Sequence, residues 1–158
     1  MSKYKDAQME KLDEGFMKIY QQAIDEKKGI FLHGDTGVGK TYAMYAIAKN
    51  KKAKVDNFPK LLVEFRDYMQ RGCYHDRIKD YVDQDYLFID DLGAEKMSEY
   101  VAEFIYILVN ERYMNQKRTV LSTNLSLEEF EERDGDRILS RIGEMCVMYS
   151  MEGEDRRI

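Results

Sequence analysis

The sequence contains few of the residues that mark disulfide-bonded, zinc-binding or membrane proteins. Cys73 and Cys146 are its only cysteines, and neither belongs to a CxxC pair or stands near a histidine at metal-ligand spacing. A disulfide framework or a structural metal site is therefore disfavoured, and reduced thiols are expected. No apolar run approaches the roughly 18 residues that a membrane-spanning helix requires. We therefore expect a cytoplasmic protein without a membrane partner.

The sequence also contains little proline and has a negative net charge. Pro59 is the only proline, and no Pro/Gly/Ser-rich linker, internal repeat or low-complexity tract interrupts the 158 residues. This length suits one hydrophobic core, and 44% hydrophobic residues can fill it. The formal net charge of −5 gives no overall attraction for nucleic acid, so any contact with phosphates must come from a local basic patch.

A glycine-rich octapeptide at residues 34–41, Gly-Asp-Thr-Gly-Val-Gly-Lys-Thr, is the most informative segment that is present. It follows an apolar run and precedes a stretch of helix-forming residues, as a phosphate-binding Walker A loop does. Its glycines let the backbone turn N–H groups towards phosphate oxygens, and the helix adds the positive end of its dipole. Lys40 is expected to reach the β- and γ-phosphates of ATP, and Thr41 to ligate Mg²⁺. The predicted nucleotide-binding residues are Gly34, Asp35, Thr36, Gly37, Val38, Gly39, Lys40, Thr41 and Tyr42.

Two adjacent aspartates, Asp90 and Asp91, end a second apolar run at residues 86–89. Such a run is typical of a strand buried on both faces of a parallel sheet, and ligands bind beyond the carboxyl ends of these strands. We expect Asp90 to act as the outer-sphere Mg²⁺ partner of a Walker B motif and Asp91 to orient or deprotonate the attacking water. Glu95 is a weaker candidate for the base. Alternatively, the pair is a helix N-cap and its neighbour.

The remaining hydrophobic pattern predicts alternating strands and helices. Residues 6–26 have the apolar spacing of an amphipathic helix that leads into the core. Two helices are expected between the second and third strands, and the alternation as a whole is typical of an α/β protein whose parallel sheet carries helices on both faces. We therefore divide the chain into an N-terminal helical segment, 1–28, and one domain, 29–158. The expected strands are 29–33, a short strand before Pro59, 86–89, 119–122 and 146–151.

Asn124 follows the predicted strand at residues 119–122. In additional-strand P-loop ATPases this strand lies between those of Walker A and Walker B, so the amide would point at the γ-phosphate and the lytic water. This is the sensor 1 position. The alternative is an Asx-turn residue that begins the loop.

Arg137 and Arg141 stand four residues apart in a predicted helix and therefore share one face. An arginine there can reach the nucleotide of a neighbouring subunit and supply the positive charge that a dissociating phosphoryl group needs. The alternative is a solvated face in which Arg141 pairs with Glu144.

Taken together, these motifs resemble a known family. Residues 34–41, the segment Leu-Phe-Ile-Asp-Asp-Leu-Gly-Ala-Glu-Lys, and the later segments Val-Asn-Glu-Arg-Tyr, Leu-Ser-Thr-Asn-Leu-Ser and Asp-Arg-Ile-Leu-Ser-Arg-Ile are similar to those of DnaC/DnaI-type replicative helicase loaders. These loaders are AAA+ ATPases of the initiator clade, and the resemblance covers about residues 28–158. It implies an α/β P-loop NTPase of the AAA+/ASCE type, with a three-layer αβα arrangement, a five-stranded parallel sheet and a much reduced helical lid.

The resemblance also implies partners and residue roles. It implies an ATPase that acts with a hexameric replicative helicase, binds single-stranded DNA and self-associates through an arginine finger, which is Arg141 or, second, Arg137. Arg156 or Arg157 would be the sensor 2 arginine. Family loaders carry an N-terminal helicase-binding domain, for which residues 1–28 are too few. The family's helical insertion lies near DNA, so candidate phosphate contacts, otherwise ordinary surface charges, are Arg66, Arg71, Arg77 and Lys79.

Three other functions remain open from the sequence. An IstB-like transposition helper ATPase shares these motifs but would act with a transposase and double-stranded DNA. A small nucleoside or metabolite kinase uses the same phosphate-binding loop, although the Asp-Asp pair and Asn124 argue against it. A non-catalytic, ATP-gated binding module would bind its partner with incidental turnover.

Overall fold

The N-terminal segment contains a shorter helix than the sequence predicts. The protein is described here by a computed structural model that covers residues 4, 6–34, 39–93, 98–134 and 136–151. Met9–Lys11 form a single 3₁₀ turn, and helix α1 runs only from Glu14 to Glu26. The predicted start near residue 6 is wrong because the carboxylate of Asp13 accepts a hydrogen bond from the Phe16 N–H at 2.7 Å and caps the helix there.

Five parallel strands form one sheet, as the sequence predicts. The strands are β1 (Gly29–His33), β2 (Val55–Asn57), β3 (Tyr86–Asp90), β4 (Arg118–Thr123) and β5 (Cys146–Ser150). Their order across the sheet is β2-β3-β4-β1-β5, and every neighbouring pair is parallel. All carboxyl ends of the strands therefore lie along one edge of the sheet.

Helices cover both faces of the sheet and complete three layers. The helices after α1 are α2 (Lys40–Asn50), α3 (Phe58–Gln70), α4 (Tyr74–Asp83), α5 (Glu99–Met114), α6 (Leu127–Asp134) and α7 (Asp136–Met145). On one face α1 and α2 pack against Ile30, Leu32 and Phe88. On the other face α3 to α7 pack against Phe31, Leu87 and Ile89. Successive strand residues point to opposite faces, so these apolar runs supply both cores. In the described ranges, no helix is both long and apolar enough to span a membrane.

The two helices inserted between β2 and β3 are α3 and α4, as predicted. Asn57 caps α3, because its side-chain oxygen accepts a hydrogen bond from the Lys60 N–H at 3.2 Å, and Pro59 occupies the first turn. Gly72, at φ +74°, follows α3 and separates it from α4.

Arg112 anchors α4 and α5 to the sheet. Its side chain is fully buried and donates to the carbonyls of Tyr81, Val82 and Gln84 at the end of α4. It also donates to the Thr119 hydroxyl at 2.8 Å and the Arg118 carbonyl at 2.7 Å, both in β4. Burial lowers the pKa of this guanidinium to about 10, which leaves it charged at neutral pH. The Arg112 position in the Asn-Glu-Arg-Tyr segment is therefore structural.

Candidate functional site

The strand order gathers the predicted site residues at the carboxyl edge of the sheet. β4 lies between β1 and β3, as expected for an additional-strand P-loop fold. Gly34 follows β1, Asp90 ends β3, and Asn124 follows β4. The three sequence motifs therefore meet at adjacent strand ends.

The backbone at both ends of the predicted Walker A loop requires glycine. Gly34 has φ +137°, and a Cβ atom there would lie 2.1 Å from the Met151 carbonyl oxygen. Gly39 has φ +96° and occupies the N-cap position of α2. Both conformations are open to glycine but costly for other residues. The predicted residues Asp35, Thr36, Gly37 and Val38 lie outside the described residues.

Lys40 and Thr41, the first residues of α2, face the end of β3. Lys40 is only 6% exposed, and its Nζ donates to the Gly34 carbonyl at 2.7 Å. The Thr41 hydroxyl donates to Oδ2 of Asp90 at 3.0 Å. The residues predicted for Walker A and Walker B are therefore in direct contact.

Ser122, in β4, joins the two aspartates and was not singled out from the sequence. Its hydroxyl donates a short hydrogen bond to Oδ1 of Asp90 and accepts the backbone N–H of Asp91 at 3.1 Å. Together with the bond from Thr41, it occupies both oxygens of Asp90 and fixes the carboxylate plane. The signal available in the sequence was a serine in the strand expected between those of Walker A and Walker B.

Asp91 has the features of a perturbed site residue. It lies at φ +62°, a region that few side chains other than Asn and Asp enter readily. Burial and the charge of Asp90 raise the pKa of its carboxyl above 3.8, while Lys40 and a hydrogen bond from Asn57 lower it. Asn57 donates from Nδ2 to Oδ2 of Asp91 at 3.2 Å while its own oxygen caps α3. Asn57 is not among the residues predicted from the sequence, although an Asn just before a helix-starting Phe-Pro pair is a capping signal.

The pair Asp90–Asp91 does not cap a helix within the described ranges. The nearest following helix, α5, takes Ser98 as its N-cap, since the Ser98 hydroxyl accepts from the Val101 N–H at 3.2 Å. Glu95, the weaker candidate for the base, lies outside the described residues.

Asn124 is exposed at the end of β4, and the turn that follows is made by its neighbour. The Thr123 hydroxyl accepts the Leu125 N–H at 3.2 Å. The turn thus does not use the Asn124 amide, which remains open to solvent at the carboxyl edge.

Tyr42 and the sensor 2 candidates complete the predicted nucleotide-binding set. The Tyr42 hydroxyl accepts the Gln8 N–H at 3.0 Å, which ties the N-terminal segment to α2. Arg156 and Arg157 lie outside the described residues.

Arg137 and Arg141 both lie on the face of α7 that packs against α5. The Arg137 guanidinium stacks over Tyr106 with its carbon 4.5 Å from the ring centroid. Arg141 stacks over Tyr113 at 5.2 Å, and its Nε donates to Oδ1 of Asn110 at 3.2 Å. The alternative pairing of Arg141 with Glu144 is not seen, because Glu144 accepts the Tyr113 hydroxyl instead.

The four candidate DNA contacts are exposed on and around α3 and α4. Arg66 stacks over Tyr100, Arg71 pairs with Asp67 at 3.1 Å, and Arg77 pairs with Asp80 at 3.5 Å. Lys79 lies on the exposed side of α4. Three of the four charges thus already have partners on their own helical unit or on the start of α5.

The Thr41–Asp90 contact fits a magnesium ion bound with a nucleotide. Mg²⁺ keeps several water ligands and binds to one or two protein oxygens together with phosphate oxygens. A hydroxyl and a carboxylate oxygen 3.0 Å apart are such a pair. A protein-only cage is not present in the described ranges, where no group of three or more His, Cys, Asp or Glu side chains could hold a metal ion.

The fold and the contact between its two motifs define a P-loop domain of the AAA+ class. The chain belongs to the family of IstB-like ATP-binding proteins, whose sequence profile matches residues 8–158. The crystal structure of the DnaC helicase loader superposes with a TM-score of 0.81 at 25% identity, over 96% of this chain and 100% of that chain.

Two curated relatives are similar over most of this chain. The replicative helicase loader DnaI of Bacillus subtilis (strain 168) is 28% identical over 160 residues, which cover 90% of this chain and 51% of DnaI. The ATP-binding protein of insertion sequence IS5376 from Geobacillus stearothermophilus is 27% identical, over 85% of this chain and 57% of that protein. The chain thus spans about half the length of these relatives.

Proposed function

We propose that this protein is a Mg²⁺-dependent ATPase whose nucleotide state controls its assembly on single-stranded DNA and on a replicative helicase. The observation that carries the proposal is the 3.0 Å contact between Thr41 and Asp90, which joins the two phosphate-site motifs of an ATP-binding family. In the cell such an ATPase would act in the cytoplasm.

The site residues have distinct roles in this proposal. Lys40 leaves the Gly34 carbonyl, which holds it now, and binds the β- and γ-phosphates. Thr41 and Asp90 would hold Mg²⁺, which would supply positive charge beside the phosphate oxygens. Asp91 accepts a proton from the attacking water as general base, and its partial burial favours this role by raising the pKa of its carboxyl. Asn124 orients that water at the γ-phosphate.

In this proposal a second copy of the chain supplies an additional positive charge to the γ-phosphate. Arg137 and Arg141 stack on Tyr106 and Tyr113 of α5, and among the described residues neither contacts Lys40, Thr41 or the two aspartates of its own chain. An arginine supplied in trans increases turnover by about 10³- to 10⁵-fold in other P-loop systems. Hydrolysis by an isolated copy is therefore expected to be slow.

The partner assignment rests on the relatives. DnaI carries the name of a replicative helicase loader, and the DnaC structure is that of a helicase loader. A net charge of −5 requires that single-stranded DNA be bound by a local patch, for which Arg66, Arg71, Arg77 and Lys79 are the candidates.

ATP hydrolysis across a protein concentration series, with and without single-stranded DNA, tests the proposal. Lys40→Ala serves as the blank. Turnover per subunit that rises with protein concentration and with DNA is the expected result. Turnover that is independent of both, or equal turnover in Lys40→Ala, would contradict it.

A transposition helper is the second candidate, because the family profile and the insertion-sequence relative both favour it. Such an ATPase acts on double-stranded DNA beside a transposase. The same assay with a duplex of equal length separates the two functions. Stimulation by the duplex but not by the single strand would favour the transposition helper.

A further inference from the structure

Two side chains of α5 hold the guanidinium of Arg141, which lies on α7. Asn110 and Tyr113 lie three residues apart on α5, and Arg141 and Glu144 lie three residues apart on α7, so each pair shares a helix face. Across the helix interface Asn110 Oδ1 accepts a hydrogen bond from Arg141 Nε at 3.2 Å. The guanidinium carbon of Arg141 lies over the Tyr113 ring, 5.2 Å from its centroid. Tyr113 is held in turn by its hydroxyl, which donates to Glu144.

Asn110 and Tyr113 fix the Nε side of the guanidinium and make no hydrogen bond with its two Nη atoms. The guanidinium has five N–H donors in a rigid plane, and its Nε–H donates to Asn110. The ring of Tyr113 covers one face. Toward the residues that the structure describes, the two Nη atoms make no hydrogen bond. They form the edge that binds phosphate oxygens in bidentate fashion.

The charge arrangement differs from that of a purely structural arginine. A stabilising surface arginine commonly pairs with a carboxylate, and Glu144 stands three residues away on the same helix. Glu144 instead takes the hydroxyl of Tyr113, so the cation is oriented without being neutralised. A developing charge on a phosphoryl group is stabilised by such an oriented cation, whose Nη atoms make no other hydrogen bond to the described residues.

We propose that Asn110 and Tyr113 are positioning residues that orient Arg141 towards the phosphoryl group of a nucleotide bound by a neighbouring copy of this chain. The inference rests on the trans arginine of the proposed function. It gives the Asn-Glu-Arg-Tyr segment two tasks, since Arg112 anchors α4 and β4 while Asn110 and Tyr113 aim Arg141.

A mixing experiment with two disabled subunits tests the inference. The acceptor, Arg141→Ala, has an intact nucleotide site but lacks the arginine that would act on the nucleotide of its neighbour. The donor, Lys40→Ala, offers Arg141 but lacks phosphate binding. Association of differently tagged copies is verified by pull-down, and ATP turnover of the mixture is then measured. The parent donor is expected to restore turnover, whereas a donor that also carries Asn110→Leu or Tyr113→Leu restores at least about tenfold less, because small misplacements of a catalytic group are costly.

Several controls separate positioning from folding. The same substitutions placed in the acceptor should leave rescue unchanged, and the KM for ATP should stay constant, because the acceptor's own site is intact. Tyr113→Phe in the donor keeps the ring face and should retain more rescue than Tyr113→Leu. Tyr106→Leu is the matched control, since Tyr106 stacks with Arg137 on the same two helices.

Each contrary outcome has a distinct meaning. Full rescue by the Asn110→Leu and Tyr113→Leu donors would overturn the positioning role while leaving the trans arginine in place. A loss with Tyr106→Leu alone would transfer the role to Arg137 and overturn the inference. No rescue by the parent donor, although the copies associate, would overturn the trans arginine of the proposed function and this inference with it.

Discussion

The hydroxyl of Thr41 donates to the carboxylate of Asp90 across 3.0 Å, which joins the start of α2 to the end of β3. These residues are 49 positions apart in the chain, and only the parallel sheet brings them together. Ser122 donates to the other oxygen of Asp90 from β4, so both oxygens of the carboxylate are fixed in the protein by itself. Pre-orientation lowers the entropic cost of metal and nucleotide binding.

Thr41→Val tests the metal role of this contact. The replacement has nearly the same shape but no hydroxyl, so we expect the fold to persist while one Mg²⁺ ligand is lost. ATP turnover should fall by about tenfold or more and should require higher Mg²⁺ concentrations. A magnesium titration of turnover measures the effect. Thr41→Ser, which keeps the hydroxyl, should behave like the parent protein, and an unchanged magnesium requirement in Thr41→Val would contradict the assignment.

Asn57→Ser tests the control of the Asp91 carboxylate. The hydrogen bond from Asn57 favours the charged form and lowers the pKa of Asp91. Serine can still cap α3 but is too short to keep that bond, so the pKa should rise further. In the proposed reaction turnover needs the ionised carboxylate of Asp91, so the acid limb of the pH–rate profile should move to higher pH. Asn57→Ala should show the same shift together with a loss of about 1 kcal/mol in stability from the missing cap. A profile that stays in place would exclude Asn57 from tuning Asp91.

The sequence predicted the sheet well because its signals are local. The apolar runs at residues 29–33 and 86–89 are bounded by a glycine-rich loop and by two aspartates, and the structure places β1 and β3 there. The start of α6 is also set by a local signal, a capping box in which the Ser126 hydroxyl accepts the Glu129 N–H at 3.1 Å and the Glu129 carboxylate accepts the Ser126 N–H at the same distance.

The supporting residues could not be read in the same way, because they act across strands and helices. Ser122 reaches Asp90 only because β4 lies beside β3, and Asn57 reaches Asp91 only because β2 does. The start of α1 was misplaced for a different reason. Apolar residues continue the helical spacing back to Met9, but the Asp13 cap determines where the helix begins.

Asp91→Asn is expected to separate stability from turnover. The folded protein holds the pKa of Asp91 above its ordinary value of 3.8, so ionising it costs more in the folded than in the unfolded state. This destabilisation is absent at a pH below the pKa of Asp91 in the unfolded chain and is fully present at a pH above its pKa in the folded protein. An uncharged asparagine, which also tolerates φ +62°, should therefore raise the melting temperature at neutral pH but not at strongly acidic pH.

The same variant should have almost no ATP turnover, because the amide cannot accept the proton of the attacking water. Thermal unfolding at neutral and acidic pH, together with turnover at neutral pH, provides the measurement. Retained turnover in Asp91→Asn would remove Asp91 from the role of base. A melting temperature that falls at neutral pH would contradict the assigned direction of the pKa.

Arg112→Ala should destabilise the protein without involving the nucleotide. The substitution leaves three carbonyls at the end of α4, one carbonyl of β4 and the Thr119 hydroxyl without their charged donor at buried or partly buried positions. Each buried acceptor that loses its donor costs about 1–3 kcal/mol, so the total is a large part of the stability of a domain of this size. Urea unfolding followed by circular dichroism measures the loss.

Arg112→Lys is the matched variant, because it keeps the charge but replaces a planar fork of five donors by three on a single nitrogen. We expect an intermediate loss, since one ammonium cannot satisfy oxygens on both α4 and β4. If lysine and alanine destabilised equally, the geometry of the fork would be what matters rather than the charge. If neither variant changed the unfolding midpoint, Arg112 would not anchor α4 and β4, and the structural role assigned to it would be wrong.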